Sequence, residues 1–198
     1  KGINSYERYY LHKIIQELQP FVHTCLVLLI FWLIVDKGKD SFYGLTFKDL
    51  KLKPYFIMLT IMVPLILWAS YQPDFQHTYP ILKPWRLKDV FGFSELKMGL
   101  IYEFFYGISF LAVELLFRGA LIIGMVKILG KHALLPMVAM YAFLHFGKPM
   151  AETIGSIFGG YILGILALKK KNIWGGVIIH MGVAYLMEFT ALWQHYFN

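Results

Sequence analysis

The chain has 198 residues, 58% of them hydrophobic, and a net charge of +7. Its mean hydropathy is +0.57. Soluble domains run at about 45–50% apolar residues, so the composition excludes an ordinary soluble domain and points to an all-α, polytopic transmembrane helical bundle.

In chain order, residues 1–19 mix aromatic and charged side chains and predict an interfacial N-terminal helix. Pro20 opens the first span, 20–35, at a position where its missing N–H costs nothing. A loop at 36–53 precedes Pro54, which opens a second span, 54–71, with a kink expected at Pro64. The polar stretch 72–97 reads as a surface loop with Trp85 and Phe91 as interfacial anchors. Residues 98–129 are helix-compatible throughout and longer than the ~30 Å hydrocarbon core requires, so this helix tilts or breaks near Gly119. Spans at 132–146, 152–168 and 173–193 follow, separated by "GK" (130–131) and "KKKN" (169–172). The pattern predicts six spans, seven at most, in one membrane domain over 1–198, because the loops are too short to fold separately.

No period-2 alternation supports a β-barrel. Lysines cluster in loops, as "KGK" (37–39), "KLK" (51–53) and "KKK" (169–171). Such clusters suit anionic lipid headgroups, not nucleic acid, for which no basic fold motif is visible. They lean toward placing 36–53 and 169–171 in the cytoplasm. The single cysteine, Cys25, excludes an intrachain disulfide and a cysteine metal cluster.

A charge at the centre of a membrane helix costs about 2.5–3.5 kcal/mol on insertion scales. Glu103, Glu114, Arg118, His145, Glu152, His180 and Glu188 therefore need a reason. Glu114 and Arg118 stand one turn apart on one face, either a self-neutralising pair or part of a site. If 130–131 joins antiparallel helices, Glu114 and His145 lie level on neighbours. His180 is closer to its own turn and needs tilt or a re-entrant path to reach them, although flanking glycines permit close approach of another helix. Glu152 is either a substitute carboxylate or a first-turn residue complementing its helix N-terminus. Glu188 reads as an interfacial or helix-pairing residue, and Glu103 as too far from Glu114 to help it. Two histidines and a glutamate can bind zinc with an open position, but no H-E-x-x-H helix is present, and no cofactor is expected. Gly155-x-x-x-Gly159 and Gly160-x-x-x-Gly164 permit close packing, within the chain or in a homodimer.

With these residues in view, the sequence resembles the CAAX-protease and bacteriocin-processing (CPBP/Abi) family of intramembrane glutamate-type proteases. "VELLFR" (113–118) followed by Gly119, "YAFLH" (141–145) and "HMGVA" (180–184) correspond to its Glu-Glu-x-x-x-Arg, Phe-x-x-x-His and His-x-x-x-Asn motifs, over roughly 98–190. Three positions depart. Val113 replaces the first glutamate, Ala184 replaces the asparagine, and Tyr141 replaces phenylalanine.

Peptide hydrolysis needs a base for water and donors for the oxyanion. The resemblance implies that glutamate and histidine share the water. Glu114 with His145 is then the expected activating pair, Arg118 the group that orients Glu114 or holds substrate, and His180 the oxyanion donor. The expected substrate is a peptide or lipid-modified protein tail at the bilayer, and the expected location the cytoplasmic membrane of a bacterium. The alternative is an inactive relative serving as a membrane scaffold or immunity factor.

Overall fold

A computed structural model of the chain describes residues 2–38, 41–48 and 50–197, and the described residues form helices and turns without strands. The helices are α1 (Ser5–Phe31), α2 (Lys53–Ala69), α3 (Pro73–Thr78), α4 (Glu95–Glu114), α5 (Val126–Leu129), α6 (Leu134–Phe143), α7 (Met150–Lys170) and α8 (Trp174–Phe197). Between α4 and α5 the chain winds as a π-helix, Leu115–Gly124. Four stretches are long and apolar enough to cross a membrane: Ser5–Asp36, Glu95–Phe143, Met150–Lys170 and Trp174–Phe197. The apolar α2 is shorter, at 17 residues. Within Glu95–Phe143 the chain turns at Gly130, whose φ is +55°, and α6 packs back against the π-helix through Phe117, Ile122, Met137 and Tyr141.

The N-terminal segment does not end at Pro20. α1 begins at a capping box, in which Asn4 accepts from the Glu7 N–H and Glu7 accepts from the Asn4 N–H. It then runs through Pro20 to Phe31. The proline removes one backbone hydrogen bond without ending the helix, because α1 is held sideways against α4. Tyr10 donates to the Met98 carbonyl at 2.8 Å, and Tyr102 donates to Glu17 at 3.0 Å. Residues expected at the interface thus pack on a neighbour, while Val27, Ile30, Phe31 and Ile34 further along are more than half exposed and form a lipid-facing surface.

The stretch 72–97 folds into the bundle instead of lying on it. Phe75, Tyr79, Leu82 and Val90 are buried. The Ile81 N–H donates to the Glu188 carboxylate at 3.0 Å, which gives a buried acid on α8 a backbone partner. Trp85 stacks on His195 with ring centroids 3.7 Å apart.

The described part of the 36–53 segment caps the π-helix. A Cβ at Gly119 would lie 2.8 Å from the Tyr43 carbonyl oxygen, so only glycine fits against this turn. Asn172 donates to the Thr46 carbonyl, and the Ile173 N–H donates to that of Gly44. The α7–α8 turn is thereby tied to the same cap.

Candidate active site

The site forms where the start of α8, the end of α4, the π-helix and the end of α6 meet. Glu114 is the last α-helical residue of α4, and Arg118 lies in the first π turn. Arg118 Nη1 donates to Glu114 Oε1 at 2.8 Å, and both side chains are 0% exposed. Stretches of π-helix recur at functional sites.

α8 brings the third group. Gly176 faces the carboxylate directly, and a Cβ there would stand 1.9 Å from Glu114 Oε2. This close approach delivers His180, one turn on, to Glu114. His180 Nδ1 lies 3.2 Å from Oε1. A carboxylate only accepts, so this nitrogen carries the proton, and Nε2 is left to the group that faces it. Tyr141 Oη lies 3.3 Å from that Nε2, within hydrogen-bond distance. Phe110 packs on the same imidazole at 4.5 Å between centroids.

α6 brings the fourth group through its frayed end. The His145 N–H bonds to the Ala142 carbonyl, which leaves the Tyr141 carbonyl without a helical donor. The His145 ring fills that place, with Nδ1 donating to the Tyr141 carbonyl at 2.9 Å. Its Nε2 is then the lone-pair nitrogen. The Tyr141 ring lies under the Arg118 guanidinium, 4.2 Å from Cζ, and 4.7 Å from the His145 ring. On α7, a Cβ at Gly160 would meet this ring at 2.8 Å, so the glycine makes the room the tyrosine occupies.

The sequence-predicted residues therefore divide. Glu114, Arg118 and His180 are in direct contact. His145 is joined to them through Tyr141, not by a bond to Glu114. Glu152, in the first turn of α7, is engaged elsewhere: Tyr79 donates to it at 2.6 Å and Lys148 Nζ at 2.8 Å. Burial, and after it the charge of Glu152, pushes the Tyr79 hydroxyl well above its usual range, so it remains a donor. Glu188 holds the 72–97 segment through Ile81. Among the described residues no three His, Cys, Asp or Glu side chains are grouped as ligands for one metal ion.

Two departures from the motifs are also placed. Val113 packs in the apolar cluster around Phe117, Met137 and Tyr141. Ala184 is buried beside Tyr10, Ile14, Tyr106 and Phe110. Sequence reading named Tyr141 only as a replacement for phenylalanine, and the glycines flanking His180 only as permitting close helix approach, and gave neither a role in the site. The signal for Tyr141 was its position four residues before His145, on the same helix face, and the need of a buried phenol for a partner.

A pair that only made burial tolerable would use the bidentate fork of arginine on carboxylate. Here Glu114 Oε2 and Arg118 Nε and Nη2 are buried without a hydrogen-bond partner among the described residues. Unpaired buried polar atoms cost about 1–3 kcal/mol each, so the arrangement retains capacity for a further polar group.

The comparisons bear on the same stretch. A family model described as Rce1-like, the type II CAAX prenyl endopeptidase Rce1-like family, matches residues 92–186. No curated protein and no solved structure matches the chain. The matched residues run from the turn before α4 into α8 and contain all four groups of the site. Over residues 92–186, just under half of its length, the chain is similar to the type II CAAX prenyl endopeptidase Rce1-like family.

Proposed function

We propose that this protein is an intramembrane endopeptidase that hydrolyses a peptide bond in the tail of a membrane-associated peptide or lipid-modified protein. The observation that carries this reading is the convergence of Glu114, Arg118, His180 and His145 around Tyr141, with unpaired polar atoms on the central ion pair.

Arg118 and His180 both address Oε1 and leave Oε2 as the proton acceptor of the carboxylate. Glu114, with His145, takes a proton from water as the oxygen adds to the scissile carbonyl. Arg118 holds the carboxylate in place and remains charged throughout. Once Glu114 is protonated it holds the Nδ1–H of His180 less tightly, and that N–H donates to the tetrahedral oxyanion. Collapse expels the amine, which takes the proton first removed from water, so one water is consumed per bond cut.

Access comes from the lysine-rich side. Segments 36–53, 125–133 and 169–173 carry ten lysines against three aspartates. The helix directions put the described residues of these segments at one end of the bundle. We place that end in the cytoplasm by the positive-inside rule, and Gly176 and His180, near the α8 N-terminus, on its side of the bilayer midplane.

A second reading has its own support. Val113 and Ala184 sit in apolar clusters, and Glu152 is already paired. An inactive relative that binds peptide in this site explains those facts too. The purified chain in lipid nanodiscs is offered a fluorogenic peptide ending in a farnesylated Cys-aliphatic-aliphatic-X tail and its unprenylated twin. Cleavage of either that is lost in His145→Ala supports the endopeptidase. Peptide binding without turnover by the wild type supports the scaffold.

A further inference from the structure

We infer that Tyr141 is a positioning residue for His180, acting through its hydroxyl and setting which ring nitrogen of His180 carries the proton. The inference rests on the endopeptidase reading for its effect on rate, and on geometry alone for its effect on the imidazole.

His180 is held at both nitrogens. Glu114 Oε1 accepts from Nδ1–H, and the Tyr141 hydroxyl donates to Nε2 at 3.3 Å. Neither contact alone determines the ring state, because a carboxylate also accepts from a doubly protonated imidazole and a hydroxyl also accepts from Nε2–H. Together they select the neutral Nδ1–H form, in which every atom has its partner.

The ring that carries this hydroxyl is not free to move away. It lies under the Arg118 guanidinium at 4.2 Å, meets Phe117 edge-on with centroids 5.4 Å apart, and enters the space left by Gly160. Phenylalanine at 141 makes the same ring contacts. The oxygen is the part that reaches His180, and at 5% exposure a phenol needs such a partner.

One residue thereby serves both histidines. The backbone carbonyl of Tyr141 sets the Nδ1–H form of His145, and its hydroxyl sets that of His180. Both rings present Nε2 as the lone-pair nitrogen in the resting protein.

Tyr141→Phe tests this with little risk to folding, since it deletes one atom. The full chain, with ¹⁵N-labelled histidine, is reconstituted in nanodiscs and its ring nitrogens are observed by NMR. Wild type is expected to show His180 as the Nδ1–H form, and Tyr141→Phe a mixture of both forms, with His145 unchanged. On the farnesylated peptide, kcat is expected to fall about tenfold, the worth of one hydrogen bond, with KM unchanged. Unchanged His180 nitrogen signals in Tyr141→Phe overturn the inference. A wild type that cuts nothing while its His180 signals respond to Tyr141→Phe removes the endopeptidase reading and upholds the role of Tyr141.

Discussion

Glu114 is a carboxylate at zero exposure with one oxygen doubly bonded and the other bare. Removing one partner of a buried pair leaves an uncompensated charge and costs about 3–5 kcal/mol, whereas replacing both by apolar groups is often neutral. Glu114→Ala is therefore expected to destabilise the fold by about that amount. Glu114→Leu combined with Arg118→Leu recovers most of the loss yet cleaves nothing. Reversible unfolding in mixed micelles checks this, and a double variant as unstable as the single one contradicts it. Tyr141 shows how a residue gains a role that its type does not announce. Its ring, carbonyl and hydroxyl each meet a different member of the site.

At the level of elements, two glycines on neighbouring helices should behave oppositely. Gly176 abuts the Glu114 carboxylate, while Gly155 on α7 has nothing within 4 Å of its place for a Cβ. Gly176→Ala pushes the carboxylate off Arg118 and His180 and is expected to lower kcat/KM by about a hundredfold or more. Gly155→Ala leaves activity within twofold of wild type, roughly the range of a change far from the site. Parallel kinetic assays check both, and equal effects would show that α8 does not approach Glu114 as described. The helical class and the three motif helices were legible in the sequence, because apolar runs and charges at helical spacing report both. The depth of His180 was not, since it depends on how closely Gly175 and Gly176 let α8 approach. The π-helix was half legible: a break near Gly119 was expected, but α and π windings share one apolar pattern, and packing against Tyr43 decides between them. The 72–97 segment misled for a physical reason. Aromatic residues between prolines suit a bilayer interface as well as a core, and the partner that draws this segment inward, Glu188, lies over a hundred residues away. Pro20 misled likewise, because contacts between α1 and α4 outweigh a local breaker.

For the whole molecule, charge is divided between the two ends. Against the lysine-rich segments, 70–97 and 145–152 set Lys83, Arg86, Lys88, Lys97 and Lys148 against Asp74, Asp89, Glu95 and Glu152. Single cysteines placed in a Cys25→Ala background report the orientation. A cysteine at Lys131→Cys is expected to react with an impermeant maleimide only after the membrane is opened, and one at Lys88→Cys in intact cells. The reverse pattern would invert the topology and the side from which substrate enters. The central claim is that Glu114 does the work of the water-activating base although Val113 stands in place of a second glutamate. Its most direct test is the steady-state rate of cleavage of the farnesylated peptide by wild type and by Glu114→Gln, which keeps the shape of the side chain and removes its basicity. The expected result is measurable turnover by wild type and a loss of about a hundredfold or more in Glu114→Gln, with binding of the peptide retained. Equal turnover by the two proteins contradicts the account.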